Sequence, residues 1–153
     1  MDNTQKIDVL NTLIVINNDR IEGYKTANGE TNETDLKMLF SDLTQTSIKC
    51  RKELIEEVTN LGGIPEEGTR VTGKFFRVWM DLKAALSGND RKTIIDSCEY
   101  GEDAILETYT KILEENQLNM TFLSLDLINK QFALLKSDHD KVKQLRDLIE
   151  DKK

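Results

Sequence analysis

The chain has one proline, Pro65, and eight glycines in 153 residues. That is too little turn chemistry for a β sandwich, and it leaves long stretches with nothing to break a helix. It has one histidine, His139, and two cysteines, Cys50 and Cys98. A disulfide framework is therefore not suggested, and a centre that needs several imidazoles cannot be assembled from one chain. No apolar run approaches the roughly 20 residues needed to span a bilayer. The opening stretch, MDNTQKIDVLNTLIVINNDR, lacks both a basic lead and a small-residue cleavage site, so the expected address is the cytoplasm. Basic residues are also in deficit, 21 Lys and Arg against 28 Asp and Glu, for a net charge of −7. Such a surface repels phosphate backbones and anionic lipid heads, so neither nucleic acid nor membrane is an expected partner.

What is present is helical periodicity, and the length fits one domain over residues 1–153. Ile7, Leu10, Ile14, Ile21 and Tyr24 form a stripe on a first helix from Thr4 to Ala27, interrupted by Asn17 and ended by Asn28-Gly29. Leu36, Leu39, Phe40, Leu43, Cys50, Leu54 and Val58 mark a second helix from Thr34 to Leu61, stopped by Gly62-Gly63 and Pro65. A third, opened by a cap in Ser87-Gly88-Asn89-Asp90 and running to Glu115, carries Ile94, Cys98, Ile105, Tyr109 and Ile112, with Glu102 interrupting. A fourth, from Asn119 or Thr121 to Glu150, carries Leu125, Ile128, Phe132, Leu135, Val142, Leu145 and Ile149, with Gln131 and His139 sharing that face. Asn32 and Asn119 read as helix caps. Both cysteines fall on apolar faces and read as buried thiols.

The connection from Gly62 to Asn89 is too long for a hairpin loop. Val71, Phe75, Val78, Trp79, Leu82 and Leu86 recur at helical spacing, which predicts a short helix over 72–86, with a strand over 70–79 as the weaker reading. Short links on either side of a long middle connection describe a ferritin-like four-helix bundle, whose crossover makes the second and third long helices parallel. An up-down-up-down bundle with a capping helix is the alternative. Phe75, Phe76, Trp79 and Met80 make the crossover apolar on more than one side, which suggests core packing and, secondarily, a homodimer through that helix.

Four motifs carry a resemblance: Leu61-Gly62-Gly63-Ile64-Pro65, Trp79-Met80-Asp81-Leu82-Lys83-Ala84-Ala85-Leu86, Cys98-Glu99-Tyr100-Gly101-Glu102-Asp103 and His139-Asp140-Lys141-Val142. In them the chain resembles a bacterial ferritin-like four-helix-bundle family, domain of unknown function 2383. The resemblance implies an all-α fold and no particular activity. The family's first helix tends to read Cys-x-Asp-Gly-Glu-Glu-Gly-Phe, where this chain has Asn17-Asn18-Asp19-Arg20-Ile21-Glu22-Gly23-Tyr24. A cysteine and one glutamate are gone. A histidine usual before Arg77 is Phe76 here. Asn17 to Gly23 also aligns weakly with Cys98 to Ala104, as two duplicated helix pairs would.

A ferritin-like two-metal site takes a glutamate from each of two helices and Glu-x-x-His from each of the other two. This chain has no Glu-x-x-His. Glu22, Glu99, Glu102 and His139, with Cys98, could furnish at most one reduced iron or zinc site. The plainer reading is a polar layer of Asn17, Ser47, Glu102 and His139 across the bundle, in which an imidazolium pairs with Glu102. No nucleophile triad is recognisable, and Gly62-Gly63 lacks the Gly-Lys-Ser/Thr of a phosphate loop. The expected role is non-catalytic, a stress-related protein or an interaction module, with a metal-dependent oxidoreductase or metal carrier as the alternative.

Overall fold

The computed structural model describes residues 2–68, 73–88 and 90–151. It contains α1 (Asn3–Glu30), α2 (Thr34–Asn60), α3 (Gly73–Gly88), α4 (Arg91–Asn116) and α5 (Phe122–Asp151), with no strand among the described residues. The strand reading of residues 70–79 is thereby replaced by helix from Gly73 onward. Val71, Thr72 and the side chains of Phe75 and Phe76 lie outside the described residues.

The ends follow from local chemistry. Asp2 and Gln5 form a reciprocal capping box at the start of α1. At the end of α2, Gly62 takes φ +84°, a region that costs a side chain with Cβ about 1–2 kcal/mol. It lets the Gly62 and Gly63 amides turn back to Thr59 and Val58, the paired C-terminal closure that glycine favours. Asp90 caps α4, accepting from the Lys92 amide. Three expected end signals are not used. Asn28-Gly29 does not end α1, because the Asn28 side chain donates to Lys37 O and Lys37 Nζ donates to Asn28 O, tying that turn to α2. Neither Asn32 nor Asn119 caps a helix: the Thr31 hydroxyl accepts from the Glu33 amide, and the Thr121 hydroxyl from Ser124.

Cross-helix bonds fix the topology. Along α1, Asn17 meets Tyr109 and Arg20 meets Glu102, so α1 and α4 are antiparallel. Arg20 also meets Ser47 while Asn28 meets Lys37, so α1 and α2 are antiparallel. It follows that α2 and α4 run parallel, as the crossover requires and a meander forbids. The connection climbs along α1, with Ile64 O on Asn11 and Gly68 O on Asn18. Residues 13 to 21 of α1 are consequently buried without a break.

Two apolar clusters fill the bundle, one around Leu10, Leu54, Tyr109 and Ile128, the other around Tyr24, Phe40, Leu82 and Val142. The second includes α3, whose Val78, Leu82 and Ala85 face inward. Its close approach depends on two glycines. A Cβ at Gly23 would overlap the Trp79 ring, and one at Gly101 would stand 2.8 Å from Val78 Cγ1. The Trp79 ring atoms are the body of a packed side chain set edge-on to Tyr24 at 5.1 Å, so they cannot swing aside. Gly23→Ala should therefore cost about 1–3 kcal/mol. In hydrogen exchange it should deprotect the Val78 to Leu82 amides while α2 stays protected. Unchanged protection of α3 would show that the glycine is not required for docking.

Candidate functional site

At mid-height each of the four long helices contributes one polar side chain to a common level: Arg20 from α1, Ser47 from α2, Glu102 from α4 and Asp138 from α5. All are buried. Guanidinium carries five N–H donors in a rigid fork, and here all five are engaged. Nε donates to Glu102 Oε2 at 3.0 Å and Nη2 to Glu102 Oε1 at 2.5 Å. Nη2 also donates to Asp138 Oδ2 at 3.0 Å, and Nη1 to Leu43 O at 2.8 Å and Ser47 Oγ at 2.9 Å. The Tyr24 hydroxyl donates to Glu102 Oε2 at 3.0 Å, and the Arg20 fork lies 5.5 Å from the centre of the Tyr24 ring.

Burial works against the Arg20 charge, but the Glu102 and then the Asp138 carboxylates outweigh it and raise its pKa above the ordinary value, so the group stays cationic. Burial and then the Glu102 carboxylate hold the Tyr24 phenol protonated, the form its hydrogen bond requires. Two carboxylates surround one guanidinium. The Lys141 ammonium, 3.8 Å from Asp138 Oδ1 at the bundle surface, balances the second.

One turn away lies a neutral layer. Asn17 donates to Leu13 O and to the Tyr109 hydroxyl, which donates to Gln131 Oε1 at 2.9 Å. Gln131 in turn donates to Cys50 O at 3.1 Å. Each helix is again tied to a neighbour through a buried bond.

The residues singled out in the sequence are divided by this arrangement. Asn17, Ser47 and Glu102 are in the interior layers. His139 is not: its Nε2 meets Asp103 at 2.5 Å and its Nδ1 meets Asp140 at 3.4 Å, on the outer α4–α5 side. The expected Glu102–His139 pair is thus corrected to Glu102–Arg20, because the inward position on α5 is Asp138. Glu22 is exposed on α1, and Glu99 is paired with Arg146. Glu22, Glu99, Glu102 and His139 do not converge, and among the described residues no three His, Cys, Asp or Glu side chains gather as a metal site. The residues present do not fit a ferritin-like two-metal set.

Arg20 and Asp138 are the residues that sequence reasoning passed over. Both have a signal in the alternating three-and-four spacing of a bundle seam. Leu10, Leu13, Asn17, Arg20, Tyr24 and Ala27 keep that spacing on α1, as do Ile128, Gln131, Leu135, Asp138 and Val142 on α5, and all are buried. A charged residue on the seam was the mark.

The site offers no exposed nucleophile. Burial pushes the Cys50 thiol up to about 12 and the Cys98 thiol above its ordinary value as well. A thiolate is the reactive form, so a thiol reagent at pH 8 should leave both cysteines unmodified in the folded chain and label both in urea. Fast labelling of the native protein would contradict the packing.

A helical bundle, two antiparallel pairs joined by a helix-bearing crossover and tied across the centre by buried ions, is the class these features define. The chain belongs to the family described as domain of unknown function (DUF2383), whose model matches residues 5–115. The matched span holds Arg20, Ser47 and Glu102, while Asp138 and the His139 motif lie beyond it. No curated protein matches this chain.

Proposed function

We propose that this is a ferritin-like bundle that works without metal chemistry, as a structural or interaction module, with the Arg20 guanidinium supplying internally the positive charge that a bound cation supplies elsewhere in that fold. The observation that carries the reading is the saturation of Arg20, whose donors occupy both Glu102 oxygens and reach Asp138. Parallel α2 and α4 support the ferritin-like part. So does the family pattern, in which position 20 tends to be glycine and position 21 glutamate, where this chain has Arg20 and Ile21. Losing a carboxylate and gaining a cation at adjacent positions leaves Glu102 facing a guanidinium. The half-exposed Met80 on the outer side of α3 supports self-association as one form of the interaction role, which light scattering reads as a mass of twice 17.5 kDa.

The test is thermal unfolding of the wild-type chain with added Fe²⁺, Mn²⁺ or Zn²⁺, beside metal analysis of protein purified without chelator. A resident or tightly bound metal raises the melting temperature by mass action. The expected result is no rise and substoichiometric metal. A saturable rise that vanishes in Glu102→Gln would establish the alternative, an iron or zinc protein of reduced ligand set.

A further inference from the structure

The end of the bundle where α4 turns into α5 differs from the rest of the surface. Leu118, Phe122 and Leu123 are 98%, 80% and 71% exposed, while Met120 between them is buried and anchors the turn in the core. Isolated exposed leucines are ordinary, but three large apolar side chains in one turn make a patch. The turn itself does not need them, since its closure is polar: the Asn119 and Met120 amides donate to Asn116 O, and the Ser124 amide to the Thr121 hydroxyl.

The charge beside the patch is predominantly negative. From Glu107 to Asp126 inclusive the chain carries four carboxylates and one lysine, of which Asp126 is paired with Lys130, and Glu57 of α2 reaches the same end to accept from Ser124. Glu114 and Glu115 stand in the closing turn of α4, where there is no basic residue and where the free carbonyls already form the negative pole of the helix. Carboxylates there work against the helix, and an arriving cation would relieve them.

We propose that this end of the bundle docks a cationic amphipathic helix of a partner protein. Its apolar side chains would cover Leu118, Phe122 and Leu123, and its lysines or arginines would meet Glu114, Glu115 and the carboxyl end of α4. A second copy of this chain would press two acidic rims together, and an anionic lipid surface would be repelled by the same carboxylates. The charge therefore selects a basic partner.

The probe is a fluorescent synthetic helix with leucine and lysine at amphipathic spacing, compared with a companion in which glutamate replaces lysine, each titrated with the full chain. The lysine helix should bind and the glutamate helix should not. Phe122→Ser, and separately the pair Glu114→Lys and Glu115→Lys, should weaken binding by about tenfold or more, with circular dichroism unchanged because these side chains are exposed. Met38→Ser, which removes an exposed apolar side chain on α2, should leave binding as it is. Absence of binding by the lysine helix, equal binding of the glutamate helix, or full binding by Phe122→Ser would overturn the proposal. So would a dimer of the wild type that Phe122→Ser dissociates, or sedimentation with anionic vesicles that it abolishes.

Discussion

Arg20→Ala should lower the stability of the chain by roughly 3–5 kcal/mol, the range expected when one partner of a buried ion cluster is removed. The side chains left behind, Glu102 and Asp138, are 2% and 4% exposed. Both are turned away from the surface in the folded chain, and Lys141 touches only the outer oxygen of Asp138. Arg20→Lys should also be costly. An ammonium has three donors where the fork makes five bonds, so at least two of the present bonds are lost, at about 0.5–1.5 kcal/mol each. Lys136→Ala, which breaks the exposed pair with Asp140, is the control and should change stability by about 1 kcal/mol or less. Urea unfolding is the measurement, since guanidinium is itself the ion under study. A loss in Arg20→Ala no larger than the control would mean that the cluster is not sealed from solvent.

Replacing the whole cluster should have the opposite sign. The combination Arg20→Met, Tyr24→Phe, Glu102→Leu and Asp138→Leu should match the wild type or exceed it by about 1–4 kcal/mol, because an apolar core avoids the desolvation that ionic groups carry. Little is stranded by the exchange. Ser47 stands one turn from Leu43, and its hydroxyl can donate to the carbonyl it shares Arg20 with at present, a common bond of helical serine. Tyr24→Phe removes the donor whose acceptor has gone. Urea unfolding again decides. A large loss would show that the ion cluster contributes net stability, contrary to the usual balance for buried pairs. If the apolar variant is more stable but gives broadened amide spectra, the cluster's contribution is to a single register.

Most of the fold was legible in the sequence because seams of leucine, isoleucine and aromatic residues state their own periodicity. The stop at Gly62-Gly63 and the cap at Asp90 stood where the structure has them. The parallel course of α2 and α4 followed from one loop length. The site was legible only in part, and for a single physical reason: a charge in a sequence is ordinarily read as facing water. Glu102 and Asn17 were noticed because each broke an apolar stripe, and Ser47 was placed with them in the polar layer. Arg20 was hidden by its neighbour Ile21, and Asp138 by His139, since in both cases an adjacent residue offered a more familiar core or ligand type. Nothing within a single helix says that Arg20 and Asp138 meet, because the contact spans 118 positions and exists only once α1 and α5 are packed in the same bundle. Leu118, Phe122 and Leu123 at the α4–α5 turn belong to none of the apolar stripes, and the packing shows that the core does not take those side chains.

The claim that the centre of this bundle is a cation site filled by its own arginine is tested most directly by offering the ion back. Arg20→Ala protein is melted in low-millimolar guanidinium chloride and, separately, in sodium chloride of equal ionic strength, beside the wild type. The account predicts that guanidinium raises the melting temperature of Arg20→Ala by binding the vacated acceptors, gives the wild type no gain, and loses its effect when Glu102→Gln is added. No gain in Arg20→Ala, or an equal gain in the wild type, would contradict it.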